Sequence, residues 1–196
     1  AALFEEMGVH NATVPPLGEE LAASAAGMTA QEQGELAVTE LARTINATAP
    51  AVLAREAQAT GAWLLHYSTD YVFDGSGSAA RAEDAATGPL SVYGRTKLDG
   101  ENHIRASGCA HLILRTSWVS AARGGNFART MIKLASERET LSVIDDQFGA
   151  PTGAELLADV TAHAVRACKA KPALGGTYHA VAAGETNWFE YARFVI

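Results

Sequence analysis

The sequence has little cysteine, little positive charge and no long hydrophobic run, and each shortage excludes a class of protein. Its two cysteines, Cys109 and Cys168, form no CxxC pair, so we expect reduced thiols rather than a disulfide framework or a zinc knuckle. The net charge of −7, without any lysine or arginine run, argues against nucleic acid or an anionic membrane as a partner. No stretch approaches the roughly 18 apolar residues of a membrane span. The opening AALFEEMGVH is acidic where a signal peptide is basic, which favours a cytoplasmic protein.

Several catalytic and metal-binding motifs are also missing. The sequence contains no GxxxxGK[ST] phosphate loop and no HExxH motif, and its histidines are dispersed along the chain. We therefore expect neither a P-loop nucleotidase nor a zinc enzyme, and no bound metal is predicted from these residues.

Segments with a strand pattern and segments with a helix pattern alternate along the sequence, which predicts an α/β fold. From Glu35 to Gly61 the spacing predicts one long helix, with a kink or a break at Pro50. Apolar runs predict strands at 63–68, 111–119, 141–145 and 176–182, and amphipathic runs predict helices at 91–107, 126–139 and 154–170. This alternation indicates right-handed βαβ units, a mainly parallel sheet and helices on both of its faces.

Polar residues follow the first predicted strand at a place where ligands bind. Ser68, Thr69 and Asp70 come at the strand's carboxyl end, although a simple strand-ending turn uses the same residue types. The next helix carries Tyr93 and Lys97 four residues apart, on one face and about 6 Å apart along the axis. An ammonium beside a phenol lowers the phenol's pKa of about 10, so this pair can exchange a proton with a substrate oxygen.

The chain contains, in this order, HYSTDYVFDG, GPLSVYGRTKLDGE, LILRTSWV, GGNFARTMIKLA and VIDDQFGAPTGAELLAD. These segments resemble the extended short-chain dehydrogenases/reductases, and within them the dTDP-4-dehydrorhamnose reductases. The resemblance implies a Rossmann-like nucleotide-binding and catalytic domain over 1–145 and the start of a smaller substrate-binding domain over 146–196. It also implies reduction of the 4-keto group of dTDP-4-dehydro-6-deoxy-L-mannose to dTDP-L-rhamnose, with hydride from NADPH or NADH.

The resemblance assigns roles to individual residues. It makes Thr69 the hydroxyl that hydrogen-bonds the substrate carbonyl and Tyr93 the proton donor. Lys97 is expected to tune Tyr93 and to hold the cofactor ribose. Asp70 and Trp118 are expected to face the sugar, and Trp118 offers a flat apolar surface.

Other expected site residues have equally good structural explanations. Asn126 and Gln147 lie on loops that by analogy line the nucleotide-sugar cleft, while a helix N-cap and a solvated loop amide explain them as well. Asn46 matches the asparagine that supports the catalytic lysine in many short-chain dehydrogenases, and with Ser68 it is expected in the cofactor site. A plain polar residue of a helix explains Asn46 nearly as well. Some family members bind Mg²⁺ at a subunit contact, where Glu155 is the carboxylate to consider, but one carboxylate does not specify a site. A homodimer is also expected.

Two features depart from the family. No Gly-x-x-Gly-x-x-Gly turn occurs, since Gly8, Gly18, Gly27 and Gly34 never approach that spacing, and the family continues beyond Ile196. Because the catalytic trio is intact, we expect an incomplete sequence of a true reductase rather than a protein that has lost its nucleotide site. The choice between NADPH and NADH stays open, because the residue that reads the ribose 2′ position follows the missing turn.

Two alternative functions share these motifs. A non-catalytic regulatory subunit of methionine adenosyltransferase has similar segments, but LRTSWV with Trp118 and the later DDQFGAPT match the reductases better. Another sugar-nucleotide reductase or epimerase would use the same proton chemistry, and only the resemblance separates it from the expected reductase.

Overall fold

The structure, a computed structural model, describes residues 29–196, which form two compact units. The first unit comprises residues 29–114 and 172–178, and the second comprises 115–171 and 179–196. Three of the glycines considered above, Gly8, Gly18 and Gly27, lie outside the described residues. No helix in the described part is both long enough and apolar enough to cross a bilayer.

Helices and strands alternate along the described chain. In chain order they are α1 (Ala30–Arg43), a π-helical turn (Thr44–Thr48), α2 (Ala49–Thr60), β1 (Leu64–Thr69), a 3-10 turn (Asp70–Val72), α3 (Val92–Ser107), β2 (His111–Thr116), β3 (Val119–Ser120), α4 (Phe127–Glu137), β4 (Phe148–Gly149), β5 (Thr152–Gly153), α5 (Ala154–Ala170), a second 3-10 turn (Pro172–Leu174), β6 (Gly176–His179), β7 (Thr186–Asn187) and α6 (Trp188–Val195). The largest sheet has the strand order β1-β2-β6. Two smaller pairings are β3 with β5, parallel, and β4 with β7, antiparallel.

The predicted long helix forms, and a π-helical turn interrupts it just before Pro50. Pro50 has no N–H, so the carbonyl of Asn46, four residues earlier, cannot receive the usual helical hydrogen bond, and the proline ring would crowd it. The chain widens there instead, and the N–H of Ala49 donates to the carbonyl of Thr44, five residues back. Pro50 then sits in the first turn of α2, where a proline is tolerated. The α-helix is therefore interrupted just before Pro50, as the effect of a proline on a helix predicts.

The long helix buries its small residues and exposes its large ones. The buried side chains are Ala37, Ala47, Pro50, Ala54 and Ala57. The residues whose spacing indicated the helix are largely exposed, namely Leu41, Ile45, Val52 and Leu53. Small side chains let α2 approach α3 closely, and both helices pack on β1. The core of the first unit forms there, from Ala54, Ala57, Ile104, Cys109 and Ile113, with Leu64 packed against them.

Helix α3 is fixed by two glycines that touch neighbouring backbone. A Cβ at Gly94 would overlap the carbonyl oxygen of Tyr71, and a Cβ at Gly100 would overlap the carbonyl oxygen of Asn46. The hydroxyl of Ser91 caps the helix by accepting a hydrogen bond from the N–H of Gly94 at 3.0 Å. These contacts determine where the side chains of α3 lie relative to the end of β1.

One predicted strand does not form. The segment 141–145 alternates as a strand would, with Leu141 and Val143 half-buried and Ser142 and Ile144 exposed, yet it has no strand partner within the described residues. Alternation alone does not make a strand, because a strand also needs a neighbour for its backbone hydrogen bonds. The other predicted helices and strands form within a few residues of their expected bounds.

The close approach at Gly100 can be tested by adding one methyl group. Gly100→Ala should lower the free energy of unfolding by about 1–3 kcal/mol, because the backbone of the π-helical turn must move. The matched control is Gly34→Ala in α1, where a Cβ meets nothing within 4 Å, so it should be neutral or stabilise by up to about 1 kcal/mol. Urea unfolding of both variants measures the difference. Equal midpoints for the two variants would contradict the packing described here.

Candidate active site

The carboxyl end of β1 carries the expected hydroxyl group. Thr69 is the last residue of β1, and its Oγ1 accepts a hydrogen bond from the N–H of Tyr71 at 3.2 Å, which caps the 3-10 turn. The same hydroxyl donates to the Asp70 carboxylate at 3.0 Å. Ser68 and Thr69 are both buried. The turn therefore serves its structural purpose and also holds the Thr69 hydroxyl in one place.

Tyr93 comes to this hydroxyl from the first turn of α3. Its ring packs edge-on against Tyr71, with the ring centroids 6.0 Å apart, and its hydroxyl interacts with the Thr69 side chain. The Tyr93 side chain remains 45% exposed, so a ligand can reach it. The structure thus brings Thr69 and Tyr93 together, as the sequence predicts.

The pKa of Tyr93 is raised, which is opposite to the direction expected from Lys97. Burial raises this pKa, the interaction with Thr69 lowers it, and the charges of Asp70 and Tyr71 raise it further. Within the described residues the Lys97 ammonium hydrogen-bonds to β1 and not to the phenol. The phenol of Tyr93 is therefore kept in its protonated form.

Lys97 is bound to β1. Its Nζ donates to the backbone carbonyl of Tyr67 at 2.5 Å and lies 3.2 Å from Nε2 of His66. Burial lowers the pKa of Lys97, and the Glu101 carboxylate partly opposes this effect. The ammonium is therefore half-buried at β1, beside the Thr69 end of that strand.

A second polar contact lies one helical turn further along α3. The carboxylate of Glu101, fully buried, accepts a hydrogen bond from the Ser68 hydroxyl at 2.5 Å and pairs with Arg105 at 2.9 Å. His66 and Ser68 lie on one face of β1, while Lys97 and Glu101 lie on one face of α3. Two residues of a strand span about 6.6 Å and four residues of a helix span about 6 Å, so the two pairs lie opposite each other. We call these side chains the β1–α3 polar ladder: His66, Ser68, Lys97, Glu101 and Arg105.

The sequence analysis missed three members of this ladder, namely His66, Glu101 and Arg105, although the spacing of the residues gave a signal. Lys97, Glu101 and Arg105 recur at intervals of four, and His66 alternates with Ser68. Such a pattern shows which residues share a face, but it does not say which strand face meets which helix face.

Asn46 supports α3 one residue away from Lys97. Its amide Nδ2 donates to the Thr96 hydroxyl at 3.1 Å, and that hydroxyl donates to the Tyr93 carbonyl at 3.0 Å. Asn46 therefore contacts Thr96 in this structure rather than the lysine that it was expected to support. The link still joins the π-helical turn to the segment that carries Tyr93 and Lys97.

The second unit holds the remaining predicted residues. Asn126 caps α4, accepting from the N–H of Arg129 at 3.1 Å and donating to the carbonyl of Ala121 at 2.6 Å, so its structural explanation is confirmed. Gln147 is exposed and directly precedes β4. Trp118 is half-buried and adopts a φ of 44°, which is strained for a bulky side chain. Its indole stacks on Trp188 with the ring centroids 3.5 Å apart.

The described part of the chain contains no cluster of metal ligands. Residues 29–196 contain no group of three or more histidine, cysteine, aspartate or glutamate side chains placed to hold an ion. Glu155 lies in the first turn of α5 and is exposed. The structure thus gives the expected Mg²⁺ no support.

The charge of Asp70 can be tested through the pKa of Tyr93. Asp70→Asn should lower this pKa, because the Asp70 carboxylate disfavours the phenolate of Tyr93. NMR titration of ¹³Cζ-labelled tyrosine measures it, with Tyr93→Phe identifying the resonance. The control is Asp84→Asn, which removes an exposed carboxylate from the loop between β1 and α3 and should leave the pKa of Tyr93 unchanged. An unchanged or higher pKa in Asp70→Asn would show that the carboxylate does not act on Tyr93.

Comparison with known proteins gives one consistent family. The family model described as the RmlD substrate binding domain matches residues 11–196. The dTDP-4-dehydrorhamnose reductase of Salmonella typhimurium is 54% identical over 183 residues, which cover 93% of this chain and 61% of that protein. The enzyme of the same name from Escherichia coli K12 is 52% identical over the same shares. The chain thus spans about three fifths of the length of these curated relatives.

Solved structures agree with this family. A dTDP-4-dehydrorhamnose reductase from Clostridium acetobutylicum superposes with a TM-score of 0.75 at 37% identity, covering 80% of this chain and 54% of that one. The Bacillus anthracis enzyme, solved in complex with NADP, gives a TM-score of 0.75 at 36% identity, covering 80% and 55%. These likenesses confirm the Rossmann-like α/β fold. By its sequence and its fold, the chain belongs to the RmlD substrate-binding-domain family of extended short-chain dehydrogenases/reductases.

Proposed function

We propose that the protein reduces the 4-keto group of dTDP-4-dehydrorhamnose to give dTDP-L-rhamnose, with a nicotinamide nucleotide as hydride donor. The observation that carries the proposal is the meeting of the Thr69 and Tyr93 side chains at the carboxyl end of β1. The relatives that bear this activity's name match nearly the whole chain at about half identity, which supports the choice of substrate.

Tyr93 is the proposed proton donor. Reduction turns the carbonyl oxygen into an alkoxide, which must take up a proton, and a phenol with a raised pKa holds that proton at neutral pH. The Thr69 hydroxyl beside it donates its single proton to the Asp70 carboxylate in this structure, and it is proposed to donate that proton to the carbonyl oxygen when the substrate is bound. Such a donor stabilises the transition state more than the ground state, because the oxygen gains charge as the reaction proceeds.

The described residues fit the ribose end of a nicotinamide nucleotide. When bound, NADPH or NADH would supply the hydride that reduces the carbonyl carbon. Lys97 presents a half-buried ammonium next to the Thr69 end of β1, and an ammonium suits ribose hydroxyls as a hydrogen-bond donor. The sequence contains no Gly-x-x-Gly-x-x-Gly turn that would bind the cofactor pyrophosphate, so we assign no residue to the phosphates.

The remaining assignments are proposals of the same kind. Asp70 and Trp118 are proposed to contact the sugar, and Gln147, with its exposed amide, to contact the nucleotide sugar. Asn126 and Asn46 use their amides within the chain, so we propose that Asn126 acts by holding backbone and Asn46 by holding the Thr96 hydroxyl. Ser68 is buried against Glu101, and we propose the same supporting role for it. The domain bounds at 145/146, a homodimer and a cytoplasmic location stay predictions.

Replacing Tyr93 tests the function. In the protein expressed from its whole gene, Tyr93→Phe should reduce kcat at least about 100-fold, because it removes the transferred proton. Binding of NADPH and of the dTDP-sugar should change little, since the ring remains. The measurement is the loss of NADPH absorbance with dTDP-4-dehydrorhamnose, and calorimetry gives the binding constants.

The control is Tyr178→Phe on β6, where the hydroxyl donates to the carbonyl of Leu174 at 2.8 Å. It should retain the turnover of the unchanged protein. Full turnover in Tyr93→Phe would remove Tyr93 from its role. An unchanged protein that oxidises no NADPH with this sugar would reject the proposed reaction itself.

A further inference from the structure

His66 is a titratable side chain that the proposed reaction does not use, yet it touches a residue that the reaction needs. It projects from the middle of β1, is half-buried, and places Nε2 3.2 Å from Nζ of Lys97. The neighbouring carbonyl of Tyr67 receives a second hydrogen bond from the same ammonium at 2.5 Å. Two acceptors from adjacent residues of one strand therefore hold Lys97.

The direction of the His66 contact follows from the chemistry of the two groups. A lysine ammonium has three N–H donors and no acceptor, so Nε2 of His66 must be the acceptor. The imidazole is then neutral, with its proton on Nδ1. Within the described residues, His66 and Tyr67 engage two of the three donors of Lys97. The third N–H has no acceptor among residues 29–196.

We propose that His66 is a positioning residue that holds the Lys97 ammonium to β1 and so directs its remaining N–H toward the bound nucleotide. The use of that N–H rests on the reductase function proposed above, whereas the His66–Lys97 contact is a property of the protein without any ligand. His66 contacts no reacting atom and acts only through the lysine.

The charges around His66 are consistent with a neutral acceptor. Burial and the Lys97 ammonium lower the pKa of His66 to about 4, while the Glu101 carboxylate raises it. The two charged groups that act on the imidazole in this way, Lys97 and Glu101, both come from α3. At neutral pH the acceptor lone pair is present, and a protonated imidazole would instead repel the ammonium.

A set of variants separates positioning from simple packing. His66→Leu keeps a similar volume without an acceptor and should weaken NADPH binding about tenfold, because one hydrogen bond to a charged group is lost. His66→Gln offers an acceptor oxygen at a similar reach and should restore binding to within about threefold. His111→Leu on β2 is the control and should leave NADPH binding unchanged, since the ring of His111 hydrogen-bonds the Cys109 carbonyl and not Lys97.

The double-mutant cycle with Lys97 decides the route of the effect. If His66 acts through the lysine, adding His66→Leu to Lys97→Met should weaken NADPH binding no further. Equal losses in His66→Leu and His66→Gln, or additive losses in the Lys97→Met background, would overturn the proposal. Calorimetry at a temperature where every variant is folded gives the dissociation constants.

A ligand-free measurement keeps this inference separate from the proposed reaction. Histidine ¹⁵N spectra should show His66 with the proton on Nδ1, and Lys97→Met should raise its pKa because a neighbouring positive charge is removed. The spectrum of His111 on β2 serves as the internal reference. A proton on Nε2, or a pKa that ignores the loss of Lys97, would refute the contact. If the unchanged protein binds no NADPH, the reductase proposal fails and these spectra alone decide the His66–Lys97 contact.

Discussion

The contact of α3 with two backbone carbonyls is the constraint on which the candidate site depends. Gly94 lies against the carbonyl of Tyr71, and Gly100 lies against the carbonyl of Asn46, where no side chain could fit. Because both ends of the segment from Gly94 to Gly100 are fixed against neighbouring backbone, the side chains of Tyr93 and Lys97 are held against β1, at Thr69 and at His66 respectively. The positions of the Tyr93 and Lys97 side chains therefore depend on glycine, which has no side chain, at positions 94 and 100.

Charge within the first unit is arranged in matched pairs along the β1–α3 polar ladder. A fully buried carboxylate such as Glu101 costs several kcal/mol in lost hydration unless hydrogen bonds and an opposite charge offset it. Ser68 and Arg105 supply both, one on each side. His66 stays neutral beside Lys97, because burial and the lysine ammonium both lower the pKa of its imidazole. The ladder engages the lysine, so the pKa of Tyr93 is raised by burial, and the Asp70 carboxylate adds to that effect.

The sequence predicted this fold where local chemistry decides the structure and failed where distant partners decide it. Helix α3 begins at its Ser91 cap, and the break in the long helix follows from Pro50, both of which are readable locally. The pairing of Thr69 with Tyr93 was also predictable, since motif order places both at one sheet edge. The direction in which Lys97 turns was not, because it depends on the carbonyl of Tyr67 and on His66 across the helix–strand contact. The strand expected at 141–145 failed for the same reason, since it lacks a neighbour among the described residues.

The π-helical turn has a consequence for the direction in which α2 faces. A π turn holds one more residue than the α-helical turn it replaces, and its wider backbone absorbs that residue without rotating the helix that follows. If the same residue were wound as α-helix, every following residue of α2 would be rotated by about 100° and the small side chains of α2 would turn away from α3. The wider turn therefore keeps the packed face of α2 directed at the helix that carries the tyrosine and the lysine. The proline is accommodated in this way without any shift of that face.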